Sequence, residues 1–218
     1  LTKIGINLNL APVADLASDQ NPSYAMRCLG SDADGVADLL DDFVSGMREG
    51  GLSVTLKTFP GIGNVSADVT ESIAENTDSL MTIRDTNFVP YASGIQAGAD
   101  CVMVSNAAYS KLTVKKVPAF MSQDIVTKLL REELGFDGIV MTSPLNDNVI
   151  ENNYTNEFAV VEAVKAGCDL IVLPGNFKEC YEALITAVEE GRIDEKVINT
   201  SVRRILQNKI QRGILVLE

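Results

Sequence analysis

The residues best placed for chemistry lie in Val54–Thr70, read VTLKTFPGIGNVSADVT. A short β-branched run carries Lys57 near its end and breaks at Pro60-Gly61-Ile62-Gly63, and a polar loop with Asn64, Ser66, Asp68 and Thr70 follows. A strand that delivers an amine and a carboxylate into a loop at its carboxyl end is the usual site arrangement of α/β proteins. The chain has no histidine, so no side chain titrates near neutrality without a large shift from its surroundings. Gly61 and Gly63 hint at a phosphate loop, but the GK[ST] ending and a following helix start are missing.

The elements that must position these groups follow from periodicity. Ile4–Val13 is apolar and β-prone and leads to Asp15. Arg27 sits in an otherwise uncharged loop, Ser23–Gly30. Ser31-Asp32 offers a cap, and Val36, Leu39, Leu40, Phe43, Val44 and Met47 predict an amphipathic helix closed by Gly50-Gly51. Strands are expected at Leu52–Lys57, Ala99–Ser105, Gly138–Thr142 and Cys168–Leu173. Helices are expected from Ser79 to Ala97, with Pro90 marking a kink or late start, and from Ser122 to Leu134. Further helices should run through Ala166, over Glu179–Glu190 and over Asp194–Gln211.

The strands read as continuous apolar runs, which marks strands buried on both faces, and strand-helix units recur at a length suited to right-handed crossovers. The expected class is parallel α/β, over one domain spanning residues 1–218; periodicity alone leaves a doubly wound sheet and a (β/α)8 barrel open. Asp15, Lys57, Asn106 and Ser143 each stand at the carboxyl end of a strand, which suits a site on the C-terminal face of a barrel.

A net charge of −12 disfavours nucleic acid and anionic membrane as partners. No segment reaches the length of a membrane span, and none reads as a targeting signal, so no compartment is indicated. The chain opens on Leu1 rather than Met, which reads as a processed or trimmed product. Cys28, Cys101, Cys168 and Cys180 lack ligand spacing, so no metal or other cofactor is expected. Without Trp, a Trp-lined sugar platform is excluded.

GINLNLAPVADL, NPSYAMRCLG, the K-x-F-P-G-x-G of Lys57–Gly63, ADCVMVSNAAY, LLREELGFDGIVMTS, AGCDLIVLPG and SVRRILQNK resemble, in order, segments of glycoside hydrolase family 3, nearest its bacterial β-N-acetylglucosaminidases. The resemblance implies a TIM-type (β/α)8 barrel of which this chain supplies about the last five β/α units. It also implies an O-glycosyl hydrolase and a carbohydrate ligand. Five strands do not close a barrel, so a missing N-terminal segment or a partner chain is expected to complete it.

The same resemblance locates losses. A retaining glycosidase needs a nucleophilic carboxylate about 5 Å from an acid/base group. The family's nucleophilic aspartate falls at Ser143, and the histidine of its Asp-x-His acid/base pair falls at Thr70, with the aspartate kept as Asp68. Other family histidines fall at Thr58, Ile62 and Asn106. Neither a serine hydroxyl without a base nor a threonine replaces those functions. Asp15, Arg27, Lys57, Thr58 and Asn106 stand where the family contacts or surrounds the sugar. The expectation is a catalytically inactive domain with a structural, glycan-binding or protein-binding role. The alternative is an active glycosidase of β-N-acetylglucosaminidase or β-glucosidase type, using relocated carboxylates from Asp68, Asp147, Glu151 or the missing segment.

Overall fold

The computed structural model describes residues 1–216. Its main sheet is parallel throughout, in the order β1 (Leu8–Asn9), β2 (Ser53–Phe59), β4 (Cys101–Val104), β6 (Ile139–Thr142). A second parallel pair, β3 (Glu75–Asn76) with β5 (Ala108–Tyr109), stands apart from it. Thr55 faces Cys101 across β2 and β4, and Cys101 faces Ile139 across β4 and β6.

Between these strands run α1 (Pro22–Ala25), α2 (Ala33–Glu49), α3 (Leu80–Asp85) and α4 (Phe88–Gln96), followed by a π-type helix over Asp124–Glu133. The chain continues through α5 (Asn148–Glu151), α6 (Asn156–Ala166), α7 (Phe177–Glu189) and α8 (Glu195–Gln211). Asp32 caps α2, its side chain accepting the Gly35 N–H, and Val36, Leu40 and Val44 of the predicted stripe are buried. Leu39, on the edge of that stripe, remains 51% exposed. The helix expected over Ser79–Ala97 divides at Thr86-Asn87, so that Pro90 falls in the first turn of α4, where its missing N–H is harmless. Asn87 uses the gap to donate to the Pro60 carbonyl at 3.0 Å.

Both outer strands are shorter than the sequence predicts. Of Ile4–Val13, only Leu8–Asn9 pairs in the ladder, with an isolated bridge at Val13; Thr2–Ile4 is a 3-10 turn. Pro12 has no N–H to give, and β1 is at the end of the sheet order. Of Cys168–Leu173, only a bridge from Leu170 to Met141 survives. The Val172 N–H turns instead to the Thr142 hydroxyl at 3.1 Å, a side-chain substitute for a ladder bond. The five-strand arc is thus present, with its two outermost members irregular.

The central strands are buried on both faces. Val54, Leu56, Val102, Val104 and Val140 join the large core beneath the helices. Cys101, Met103, Ile139 and Met141 form a second cluster on the opposite face, with Leu8, Leu170, Val172 and Ile205 of α8. The amino ends of the strands are closed by two carboxylate clamps that face α8. Asp100 accepts the Val54 N–H at 3.0 Å and both oxygens take Arg212, at 2.6 and 2.7 Å. Arg48 and Asn208 add bonds at 3.1 and 3.2 Å. Asp169 repeats the device, accepting the Val140 N–H at 2.9 Å, Arg131 at 2.5 Å, Arg204 at 3.1 Å and the Ser201 hydroxyl at 2.7 Å. Ser201, Arg204 and Asn208, with Arg212 just past the helix end, recur at helical spacing, so α8 turns a polar face inward. Its apolar residues Val202, Leu206 and Ile210, with Ile214 just beyond, point outward and stay 39–46% exposed.

Candidate functional site

The carboxyl ends of the strands bring Asp15, Lys57, Asn106 and Ser143 to one face, as expected for an α/β site. Asp15 is its fully buried hub. One oxygen accepts the Thr58 N–H at 3.0 Å and the Tyr91 hydroxyl at 2.9 Å; the other accepts the Tyr24 hydroxyl at 2.7 Å and the Thr58 hydroxyl at 2.8 Å. Burial pushes the carboxyl above the ordinary carboxylate range, while these four donors pull it back. With both oxygens engaged from inside the fold, Asp15 positions its neighbours rather than offering an acceptor outward.

The chain enters this hub through a short loop. Tyr24, in α1, carries Arg27 over its ring at 5.0 Å from the centroid. Lys57 immediately precedes Thr58 and is half-buried, its N–H and C=O held by Pro12 and Ala14 at 3.3 and 2.8 Å. Burial first, and the Arg27 charge second, lower the Lys57 pKa. Among the described residues, neither Arg27 nor Lys57 forms an ion pair.

The Pro60–Gly63 turn is set by close packing. A Cβ at Gly63 would collide with the Leu16 carbonyl and one at Gly61 with Asn87. The Gly61 carbonyl accepts the Tyr109 hydroxyl at 2.9 Å. The turn serves the scaffold, and the phosphate-loop reading has no helix N-terminus behind it.

Beyond the turn, Asp68 is exposed, and one of its oxygens takes both the Thr70 hydroxyl at 2.7 Å and the Thr70 N–H at 2.8 Å. These bonds hold its carboxyl below the usual range, the opposite of what a proton donor near neutrality requires. The Thr70 carbonyl accepts the Val149 N–H at 2.8 Å, and Glu71 accepts Asn148 at 2.8 Å. The Asp68–Glu71 loop is thereby tied to the start of α5.

At the end of β6, Ser143 is buried, and its hydroxyl donates to the Val104 carbonyl at 2.9 Å. It points into the sheet. Asp147 is half-buried and accepts the Asn106 amide at 2.8 Å. Burial raises its pKa, Asp68 and Glu71 raise it further, and the Asn106 bond lowers it. Asn106 is 1% exposed, and its carbonyl oxygen has no partner among the described residues.

A cleft of about 370 Å3 opens between α1 and the Asp68 loop, lined by Tyr24, Arg27, Ile62, Ser66, Asp68 and Thr70 among others. Of the residues expected at a site, Arg27, Asp68 and Thr70 line this cleft. Asp15 and Thr58 bond to the Tyr24 hydroxyl, Lys57 precedes Thr58 in β2, and Asn106 pairs with Asp147. Tyr24 and Tyr91, the hydroxyls that organise Asp15, escape a reading by spacing. The only signal for Tyr24 is its place three residues before Arg27.

Among the described residues, no group of three or more acidic, Cys or His side chains gathers to hold a metal ion. Among the described residues, no helix is long and apolar enough to cross a membrane.

Comparison with known proteins agrees with this architecture. The family model of the glycosyl hydrolase family 3 N terminal domain matches residues 1–208. A beta-hexosaminidase of Xylella fastidiosa (strain M23) is 32% identical over 169 residues, 78% of this chain and 50% of its own length. The beta-N-acetylglucosaminidase/beta-glucosidase of Cellulomonas fimi is 29% identical, covering 97% of this chain and 39% of its own. The solved glycoside hydrolase family 3 beta-N-acetylglucosaminidase from Paenibacillus sp. str. FPU-7 superposes on 100% of this chain and 43% of its own, with TM-score 0.95 and 33% identity. This chain spans about half the length, or less, of these relatives. The parallel five-strand arc is part of a TIM-type (β/α)8 barrel, and the chain belongs to glycosyl hydrolase family 3.

Proposed function

We propose that this chain is a non-hydrolytic member of its family, a glycosidase-like domain that binds a carbohydrate without cleaving it. The observation that carries this reading is the inward hydroxyl of Ser143, bonded to the Val104 carbonyl where the family resemblance puts the nucleophile. An alkyl hydroxyl committed to a backbone acceptor, with no base beside it, does not attack an acetal carbon. The acid/base position supports the same conclusion, since Thr70 spends its hydroxyl on an exposed, well-ionised Asp68.

The barrel is completed, in this reading, by about three further β/α units from another segment or chain. Eight strands close such a barrel. β1 stands at one end of the sheet order and the Leu170 bridge at the other. The outward stripe of Val202, Leu206, Ile210 and Ile214 offers apolar surface for an added helix. Two copies of a five-strand arc would overfill the circle, which favours a three-unit complement over a second copy.

The test is hydrolysis of nitrophenyl N-acetyl-β-glucosaminide and nitrophenyl β-glucoside by the complete polypeptide. The expected rate is at least about four orders of magnitude below that of an active relative, as loss of a covalent nucleophile implies. Turnover above background that disappears in Asp147→Asn would overturn the proposal in favour of a relocated carboxylate.

A further inference from the structure

We infer that the cleft between α8 and the π-type helix, at the amino ends of the strands, binds a small zwitterion. Its oxyanion lies against Lys196 and Arg204 on one wall, and its ammonium against Glu132 and Asp137 on the other. The site is independent of the carbohydrate-binding role proposed above.

The cleft holds about 380 Å3, at the lower end of small-molecule sites, which run from roughly 300 to 1,000 Å3. Lys196, Thr200 and Arg204 stand at i, i+4 and i+8 on α8 and line it as one row. Thr127, Arg131 and Glu132 line it from the π-type helix, and Asp137 follows a few residues on. π-type turns are rare and recur at functional sites.

The positive wall has charge and donors to spare. Asp169 has no exposure and serves two guanidiniums, Arg131 at 11% and Arg204 at 24% exposure. Its two oxygens already accept four donors. Two partly desolvated cations therefore share one carboxylate, an excess that an added anion would relieve. The companion clamp at Asp100 differs. There Arg212 turns its donors inward, to both Asp100 oxygens and to Ser53. Arg204 gives Asp169 a single bond at 3.1 Å among the described residues. The rest of its planar fork is free for an oxyanion, the group that guanidinium geometry fits best.

The second half of the ligand follows from the facing wall. Lys196, Glu132 and Asp137 form no ion pair among the described residues, so the opposite charges of the two walls do not neutralise each other directly. A bare anion at Lys196 and Arg204 would look across at two carboxylates, and a bare cation at Glu132 would look across at three positive side chains. A molecule carrying both charges meets a counter-charge on each wall.

The experiment is calorimetric titration of the complete polypeptide with phosphoethanolamine, β-alanine, inorganic phosphate and ethanolamine. At least one of the two zwitterions should bind about tenfold or more tighter than both inorganic phosphate and ethanolamine, with an advantage that shrinks as salt screens the contacts. The tighter of the two identifies the oxyanion as phosphate or carboxylate. Lys196→Gln should weaken the zwitterion and inorganic phosphate alike, by about fivefold or more. The double variant Glu132→Gln, Asp137→Asn should weaken the zwitterion and leave inorganic phosphate as tight or tighter. All three positions are exposed, so these variants are expected to fold. Absence of zwitterion binding, or binding indifferent to Lys196→Gln, overturns the inference. Inorganic phosphate binding as tightly as phosphoethanolamine and β-alanine would also overturn it, by leaving the carboxylate wall without a role.

Discussion

Asp169→Ala is expected to destabilise the fold by about 3–5 kcal/mol, the scale for removing one partner of a buried ion pair. The carboxylate has no solvent exposure, and Arg131, its closest partner, is 11% exposed. Alanine would leave that guanidinium without its counter-charge, and would strip an acceptor from the Val140 N–H at the start of β6 and from Ser201 on α8. Asp169→Asn keeps an acceptor but loses the charge, so it should fall between wild type and alanine. Urea denaturation, followed by the shift in midpoint at constant slope, measures it. A control is Glu133→Ala, which breaks the exposed Arg84 pair and should cost no more than about 1 kcal/mol. If Asp169→Ala cost as little as that control, the clamp would be dispensable.

Asp15→Ala should rank beside it, at about 3–5 kcal/mol, for a different reason. It orphans the Thr58 N–H and the buried Tyr91 hydroxyl, and loosens Tyr24; each unsatisfied buried donor costs roughly 1–3 kcal/mol. The pH dependence has a definite sign. Burial raises the folded-state pKa of Asp15 above its unfolded value. Protonation therefore favours the folded state. The contribution is fully present below the unfolded pKa, near ~4, and is lost as pH rises through the higher folded value. Asp15→Asn removes this titration. The stability of wild type relative to Asp15→Asn should therefore grow as pH falls from neutral towards ~4, read from thermal unfolding at matched ionic strength. A flat difference would mean that the carboxyl titrates as it does in the unfolded chain.

What the sequence discloses divides along the line between local and distant causes. Asp32 caps α2 and Ser79 caps α3 because capping is a matter of three or four residues. The strand ends carrying Lys57, Asn106 and Ser143 were legible because buried parallel strands are plain apolar runs. The irregular outer strands were not, since shrinking to the lone bridges at Val13 and Leu170 depends on having no neighbour further out. Among the candidate site residues, identities pointed to the carboxyl-end face of the sheet. The directions did not follow from identity. Nothing near Ser143 in the sequence says that its hydroxyl turns down to Val104, 39 residues earlier. Likewise the saturation of Asp15 requires Tyr91, 76 residues away, and only the folded chain brings them together.

The inward polar face of α8 has a consequence in time as well as in energy. The bond from Arg212 to Asp100 spans 112 residues, and the one from Arg212 to Ser53 spans 159. Contacts of such long separation form late, because the intervening chain must be ordered before they can close. At ordinary translation speeds the stretch from Asp100 to Arg212 takes on the order of ten seconds to synthesise. For that interval β2 and β4 would sit on the emerging chain with their amino ends unlatched and Asp100 without Arg212. α8 is made long after β2, the strand it fastens, so a nascent chain stalled before Arg212 holds that strand with its amino end open.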